Sequence, residues 1–240
     1  MRAGALVLLA LILTGCETTA EKSAKLERQA LRTAAHAQHT TGLTITHPSS
    51  TIRVLDSTVV HSSEGAAVAV TLENSSSRAV ADVPIAVTVR SVGGATVYSN
   101  SSPGLVHSLV SVPLVAPHSQ LTWIDDQVTS TQAGGSATAE VGEGTTVKGA
   151  VPAITVVGAH IFEEPGSGFG AKGSVVNHST VAQAELVVYA TARRGARILA
   201  AGRAVLSQVP AGASIPFQLF FIGDPRGAQL QVSAPPSTVP

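Results

Sequence analysis

Few side chains in this sequence can do covalent or acid–base chemistry, and they are scattered. Cys16 is the only cysteine, and a thiolate is the most readily alkylated nucleophile that a side chain offers. A lone cysteine makes no intrachain disulfide and no thiolate metal cage. Of the eight histidines, His36 and His39 have a local spacing that could share a face. His47, His61, His107, His118, His160 and His178 are spread along the chain. The adjacent carboxylates Asp125-Asp126 and Glu163-Glu164 point to opposite sides if they lie on strands, so neither pair is a ready acid/base dyad. Gly166-Ser167-Gly168-Phe169-Gly170 is not a Gly-x-Ser-x-Gly elbow and lacks the strand-then-helix setting of a nucleotide loop. It reads as a hairpin turn. The residues predict no catalytic site, no cofactor and no metal.

Cys16 is also distinguished by its position, closing Leu13-Thr14-Gly15-Cys16 after an apolar run from Ala3 to Ile12 with Arg2 ahead of it. As a helix, about 11 apolar residues span roughly half of a bilayer's hydrocarbon, too little for a stable transmembrane segment. A basic start, an apolar centre and small residues before a cut site describe a secretory signal, which is set aside from fold reasoning. The four residues resemble a bacterial lipobox. That resemblance implies that residues 1–15 are removed and that Cys16 becomes the N-terminus, carrying a diacylglyceryl group as a thioether. At roughly 0.8 kcal/mol per buried CH₂, two or three acyl chains hold a protein where one is marginal. The implied partner is the membrane, reached through a lipid on Cys16. The implied place is the cell membrane or outer membrane, on the extracytoplasmic side.

Composition fits a folded chain after that signal. With 44% hydrophobic residues the processed length can bury one large core or two small ones. Formal net charge is zero with only 12% charged residues, so nothing recommends nucleic acid as a partner. Residues 16–42 are alanine-rich with mixed charges and lack the large side chains of a buried stripe. They read as a frayed helix or a disordered spacer, or as a helix that docks elsewhere.

From Leu43 the pattern changes to short alternating segments divided by Gly, Pro, Ser and Asn, as in an all-β protein. Val68, Val70 and Leu72 alternate with smaller or polar neighbours, and so do Val83, Ile85, Val87 and Val89. The order repeats about a hundred residues later. Asn74-Ser75-Ser76 recurs as Asn177-His178-Ser179, and Val115-Ala116-Pro117-His118 as Val209-Pro210-Ala211-Gly212. Trp123 falls on Phe217, and the first copy carries an insertion around Ser101 to His107. Asn74, Asn100 and Asn177 each begin an Asn-x-Ser pattern; Asn74 and Asn177 read as turn residues whose amides bond the following backbone.

The second copy resembles the FxLYD-type bacterial domain on Asn177, Ser179, Tyr189, Gly195, Pro210-Ala211-Gly212 and Phe217, although Ala190 replaces the aspartate that usually follows the tyrosine. The resemblance implies tandem immunoglobulin-like β-sandwiches in an envelope protein and carries over no catalytic residue. The expected organisation is a first sandwich over 43–142, a linker over 143–150, a second sandwich over 151–235 and a loose tail over 236–240.

Two functions fit. One is a lipid-anchored, non-catalytic module that binds a protein partner in the envelope or acts as a scaffold. The other is a small-ligand carrier or enzyme with a site at the domain junction. Pleating supplies the one candidate surface: with Phe217, Leu219 and Phe221 inward, Phe220 and Ile222 turn outward, and with Leu186, Val188 and Ala190 inward, Val187 and Tyr189 do the same. Those four form either an exposed apolar patch or a face covered by the first domain or the spacer.

Overall fold

Valine, isoleucine and threonine on alternating positions suit a pleated, half-buried surface. The computed structural model describes residues 42–63, 65–128 and 135–240, and these are all-β. Cys16, the signal segment and most of the spacer lie outside the described residues. The first repeat runs β1 (Ile52–Ser62), β2 (Gly65–Asn74), β3 (Val80–Arg90), β4 (Thr96–Ser99), β5 (Ser111–Val115), β6 (Gln120–Val128), β7 (Ser136–Val141) and β8 (Thr145–Thr146). The second runs β9 (Ile154–Glu164), β10 (Gly168–Asn177), β11 (Gln183–Arg194), β12 (Arg197–Val209), β13 (Ser214–Phe220), β14 (Ile222–Gly223) and β15 (Gln229–Ser233). Every pairing between these strands is antiparallel.

Each repeat is two sheets. In the first, β1-β2-β6 faces a sheet in which β3 pairs with β4, β5, β7 and β8. In the second, β13-β10-β9 faces β14-β12-β11-β15. The inward sets are those that alternation predicts: Val68, Val70, Leu72, Ile85, Val87 and Trp123 are buried in the first core, and Leu186, Val188, Phe217, Leu219 and Phe221 in the second.

The buried asparagine of each repeat makes the same four bonds. Asn74 Nδ2 donates to the carbonyls of Arg78 and Val115 while its Oδ1 accepts from the Ser76 amide and hydroxyl. Asn177 Nδ2 donates to Val181 and Val209, and its Oδ1 accepts from the Ser179 amide and hydroxyl. Both asparagines are fully buried, so each clamps the turn after its strand to the strand that closes the sandwich. The left-handed backbone falls elsewhere, again in matched places: Asp82 and Glu185 both at φ 50°, and His118 (48°) opposite Gly212 (70°).

The insertion in the first repeat splits one strand in two. Where β12 runs unbroken along β11, its counterpart is β4 on one half of β3 and β5 on the other. Asn100, also fully buried, fills the break. Its Oδ1 accepts from the Val87 amide at 2.6 Å and its Nδ2 donates to the carbonyls of Ile85 and Leu109. A side chain thus supplies the ladder bonds that the missing strand residues would have made.

Two segments differ from expectation. Within 143–150, Thr145–Thr146 pair with Val80 and Ala81, and Val147 is buried. The tail is pinned because Gln183 Oε1 accepts from the amides of Ser237 and Thr238. Glycine and proline interrupt alternation there, but the backbone still finds partners.

Candidate functional site

Residues 41–240 form one compact unit because the sandwiches are stacked sheet on sheet. β11, β12 and β14 lie over β1, β2 and β6. From Leu186 to Ala192 every residue of β11 is buried. Its even-numbered side chains fill the second core, while Val187 and Tyr189 belong to the same apolar cluster as Val68, Trp123 and Ile124. β2 is its counterpart, buried on both faces from Ala66 to Val70.

This corrects the exposed-patch reading of Val187, Tyr189, Phe220 and Ile222. Val187 and Tyr189 do turn away from the second core, but the first sandwich covers them. Ile222 leaves Phe220 altogether. The chain changes sheets at Phe221, so Phe220 pairs with Gly170 in one sheet and Ile222 with Ala201 in the other, where it packs on the first cluster. Gly223 at φ 99° permits the change, and a Cβ there would fall 2.3 Å from the Leu199 carbonyl. Only Phe220, 40% exposed, stays at the surface.

Polar groups ring the apolar junction. Arg203 Nε donates to Asp126 Oδ1 at 2.8 Å and its Nη1 to Ser108 Oγ at 3.0 Å, with the guanidinium side chain only 5% exposed. Arg193 reaches from β11 to the first sandwich, where its Nη2 donates to Thr71 Oγ1 at 3.2 Å and Thr122 Oγ1 at 3.1 Å. Beside it a cleft of about 280 Å³ is lined by Thr71, Thr122, Tyr189, Thr191, Arg193 and Ser233 among others. Burial holds the Tyr189 phenol well above its ordinary range, and its hydroxyl has no hydrogen-bond partner among the described residues.

Asp125 and Asp126 point apart, as strand pleating requires. Asp125 turns into the first core, where Tyr98 donates to it at 2.5 Å and the Gln127 amide at 2.9 Å. Burial raises its pKa in spite of those bonds. A raised folded-state pKa means that the native state holds the proton more tightly. Stability from this group is therefore highest below about 3.8, the unperturbed value, and falls as pH climbs through the raised one. Asp125→Asn is expected to remove that decline, up to about 1.4 kcal/mol per pH unit, from urea titrations run between pH 4 and pH 7. A variant with the wild-type slope would refute it.

The outer face of β13-β10-β9 carries a pair of aromatic rings. Phe162 and Phe220 meet edge to face at 5.6 Å, and Lys172 Nζ lies 5.3 Å from the Phe162 ring centre. Gly170 makes the contact possible, since a Cβ there would sit 2.6 Å from the Phe162 ring. Val157, 47% exposed, lies on the same sheet.

No protein-family model matches the chain, and no curated protein matches it at a significant level. Among the described residues no three His, Cys, Asp or Glu side chains gather as a metal centre needs. Sequence reasoning missed Arg193, the Arg203–Asp126 pair and Phe162. The first two join distant segments, and Phe162 acquires meaning only from its register opposite Gly170.

Proposed function

We propose that this chain is a lipid-anchored cell-envelope protein, of the bacterial lipoprotein kind with tandem FxLYD-type, immunoglobulin-like sandwiches, whose role is non-catalytic protein binding or scaffolding. The observation that carries this reading is the way the sandwiches are joined. Val187, Tyr189, Ile198 and Ala201 of the second repeat share one buried cluster with the first, which gives a stiff body instead of a hinged pair closing on a substrate. The aromatic pair of half-buried Phe162 and exposed Phe220 is held on that body by strands, and rigidly presented aromatics suit partner binding. The lipobox resemblance at Cys16 supplies the tether.

The test is made in the native membrane. The wild-type protein is expected to carry acyl mass on Cys16 and to crosslink to a stoichiometric partner. Cys16→Ser is expected to abolish the lipidated form, with the precursor accumulating uncut. Phe220→Ser is expected to cost about 1 kcal/mol of stability, the worth of its edge-to-face contact with Phe162, and to lower partner recovery several-fold. An unmodified Cys16 by intact-mass measurement would reject the anchor, and partner recovery indifferent to Phe220 would reject the surface.

A further inference from the structure

We infer that the cleft between β6, β11 and β15 is a binding site for a small organic monocarboxylate. Its lining, which includes Gln120, Leu121, Gln231 and Val232 besides the residues named above, contains one formal charge, the Arg193 guanidinium, and no acidic side chain. An arginine has five N–H donors and no acceptor. Here Nη2 is spent on two neutral hydroxyls, Nε is buried without an acceptor, and Nη1 has no hydrogen bond among the described residues. Thr71 Oγ1 and Thr122 Oγ1 lie 3.3 Å apart, so at most one hydroxyl proton is used between them and the other is free to donate. Thr191, 3% exposed, adds a hydroxyl with no hydrogen bond among the described residues. The cleft therefore offers donors and positive charge, which is what an oxyanion needs.

Charge and lining narrow the class. One guanidinium balances one negative charge, so a monoanion is neutralised where a phosphate dianion would leave excess charge in a partly enclosed site. Leu121, Val232 and the Tyr189 ring line the same space and suit a short hydrocarbon tail. About 280 Å³ is at the lower end of small-molecule sites, so the ligand is a short-chain acid.

The test titrates butyrate, butyramide and inorganic phosphate, at constant ionic strength, into the full chain in detergent micelles by isothermal calorimetry. Butyrate is expected to saturate one site, and butyramide and phosphate to bind at least tenfold more weakly. Arg193→Gln is expected to weaken butyrate at least tenfold. Because Arg193 also joins the sandwiches, Thr191→Val serves as a second variant. It keeps the side-chain shape, and is expected to weaken butyrate several-fold with the unliganded melting temperature unchanged. Four results would each overturn the site: no saturation by butyrate, equal binding of butyramide, phosphate binding as tightly as butyrate, or butyrate affinity unaltered in both variants.

Discussion

Asp126→Ala is expected to destabilise the protein by about 3 kcal/mol, the lower end of the range for breaking a buried ion pair. The lower end applies because the Asp126 side chain is 22% exposed, whereas that of Arg203 is 5% exposed. The loss comes less from the missing attraction than from what remains. Arg203 keeps its bond to Ser108 through Nη1, but its Nε, 2.8 Å from Asp126, is left facing nothing at the junction. The double variant Asp126→Ala, Arg203→Met is therefore expected to recover at least half of the loss, since it removes the stranded charge and keeps the packing. Urea unfolding of wild type, both single variants and the double variant measures this as a cycle. A single-variant loss under about 1 kcal/mol, or no recovery in the double, would show that Arg203 is satisfied by solvent.

Tyr189→Ala is expected to cost about 3–5 kcal/mol, the usual range for deleting a buried aromatic ring. Its position makes the upper half of that range the expectation. The ring lies within the cluster shared by both repeats, where the sheets on either side cannot both collapse into the space. Tyr189→Phe is expected to be neutral or stabilising, because it removes a hydroxyl that is buried with no partner among the described residues and leaves the ring in place. Denaturation midpoints of the two variants separate packing from polarity. If Phe is as damaging as Ala, the hydroxyl makes a hydrogen bond that holds the fold.

Much of the fold could be read from residue order. Alternation placed Phe217, Leu219 and Phe221 inward and Phe220 outward, and all four are so placed. The pairing of Asn74 with Asn177 exposed the repeat because each side chain makes the same set of local bonds. The limit of alternation shows in β11. A period of two says which residues share a face, but not whether water or another sheet lies against it. The useful signal was the absence of any polar residue between Leu186 and Ala190, since an unbroken apolar run marks a strand covered on both sides. The sheet change at Phe221 was hidden because Phe221 and Ile222 continue the apolar pattern across the break. Arg203 and Asp126 lie 77 residues apart and Arg193 and Thr71 lie 122 apart, so no local pattern links them.

The stacking of the two sandwiches is heterologous. The first repeat offers its β1-β2-β6 sheet, and the second offers β14-β12-β11-β15, which corresponds to the opposite sheet of the first. A contact of that kind does not close on itself: were the repeats identical, each free end would accept another molecule and the protein would polymerise without limit. The differences between the repeats fall where they prevent this. Val187 and Tyr189 correspond to Pro84 and Ala86 on the outer face of the first sandwich, which removes the apolar knobs from one end. Asp126 corresponds to Phe220 and Val60 to Phe162, which replaces the carboxylate acceptor and a small side chain with two rings at the other. The two outer faces thus differ in shape and charge from the two that meet, so the contact made once inside the chain is not offered again by either of them.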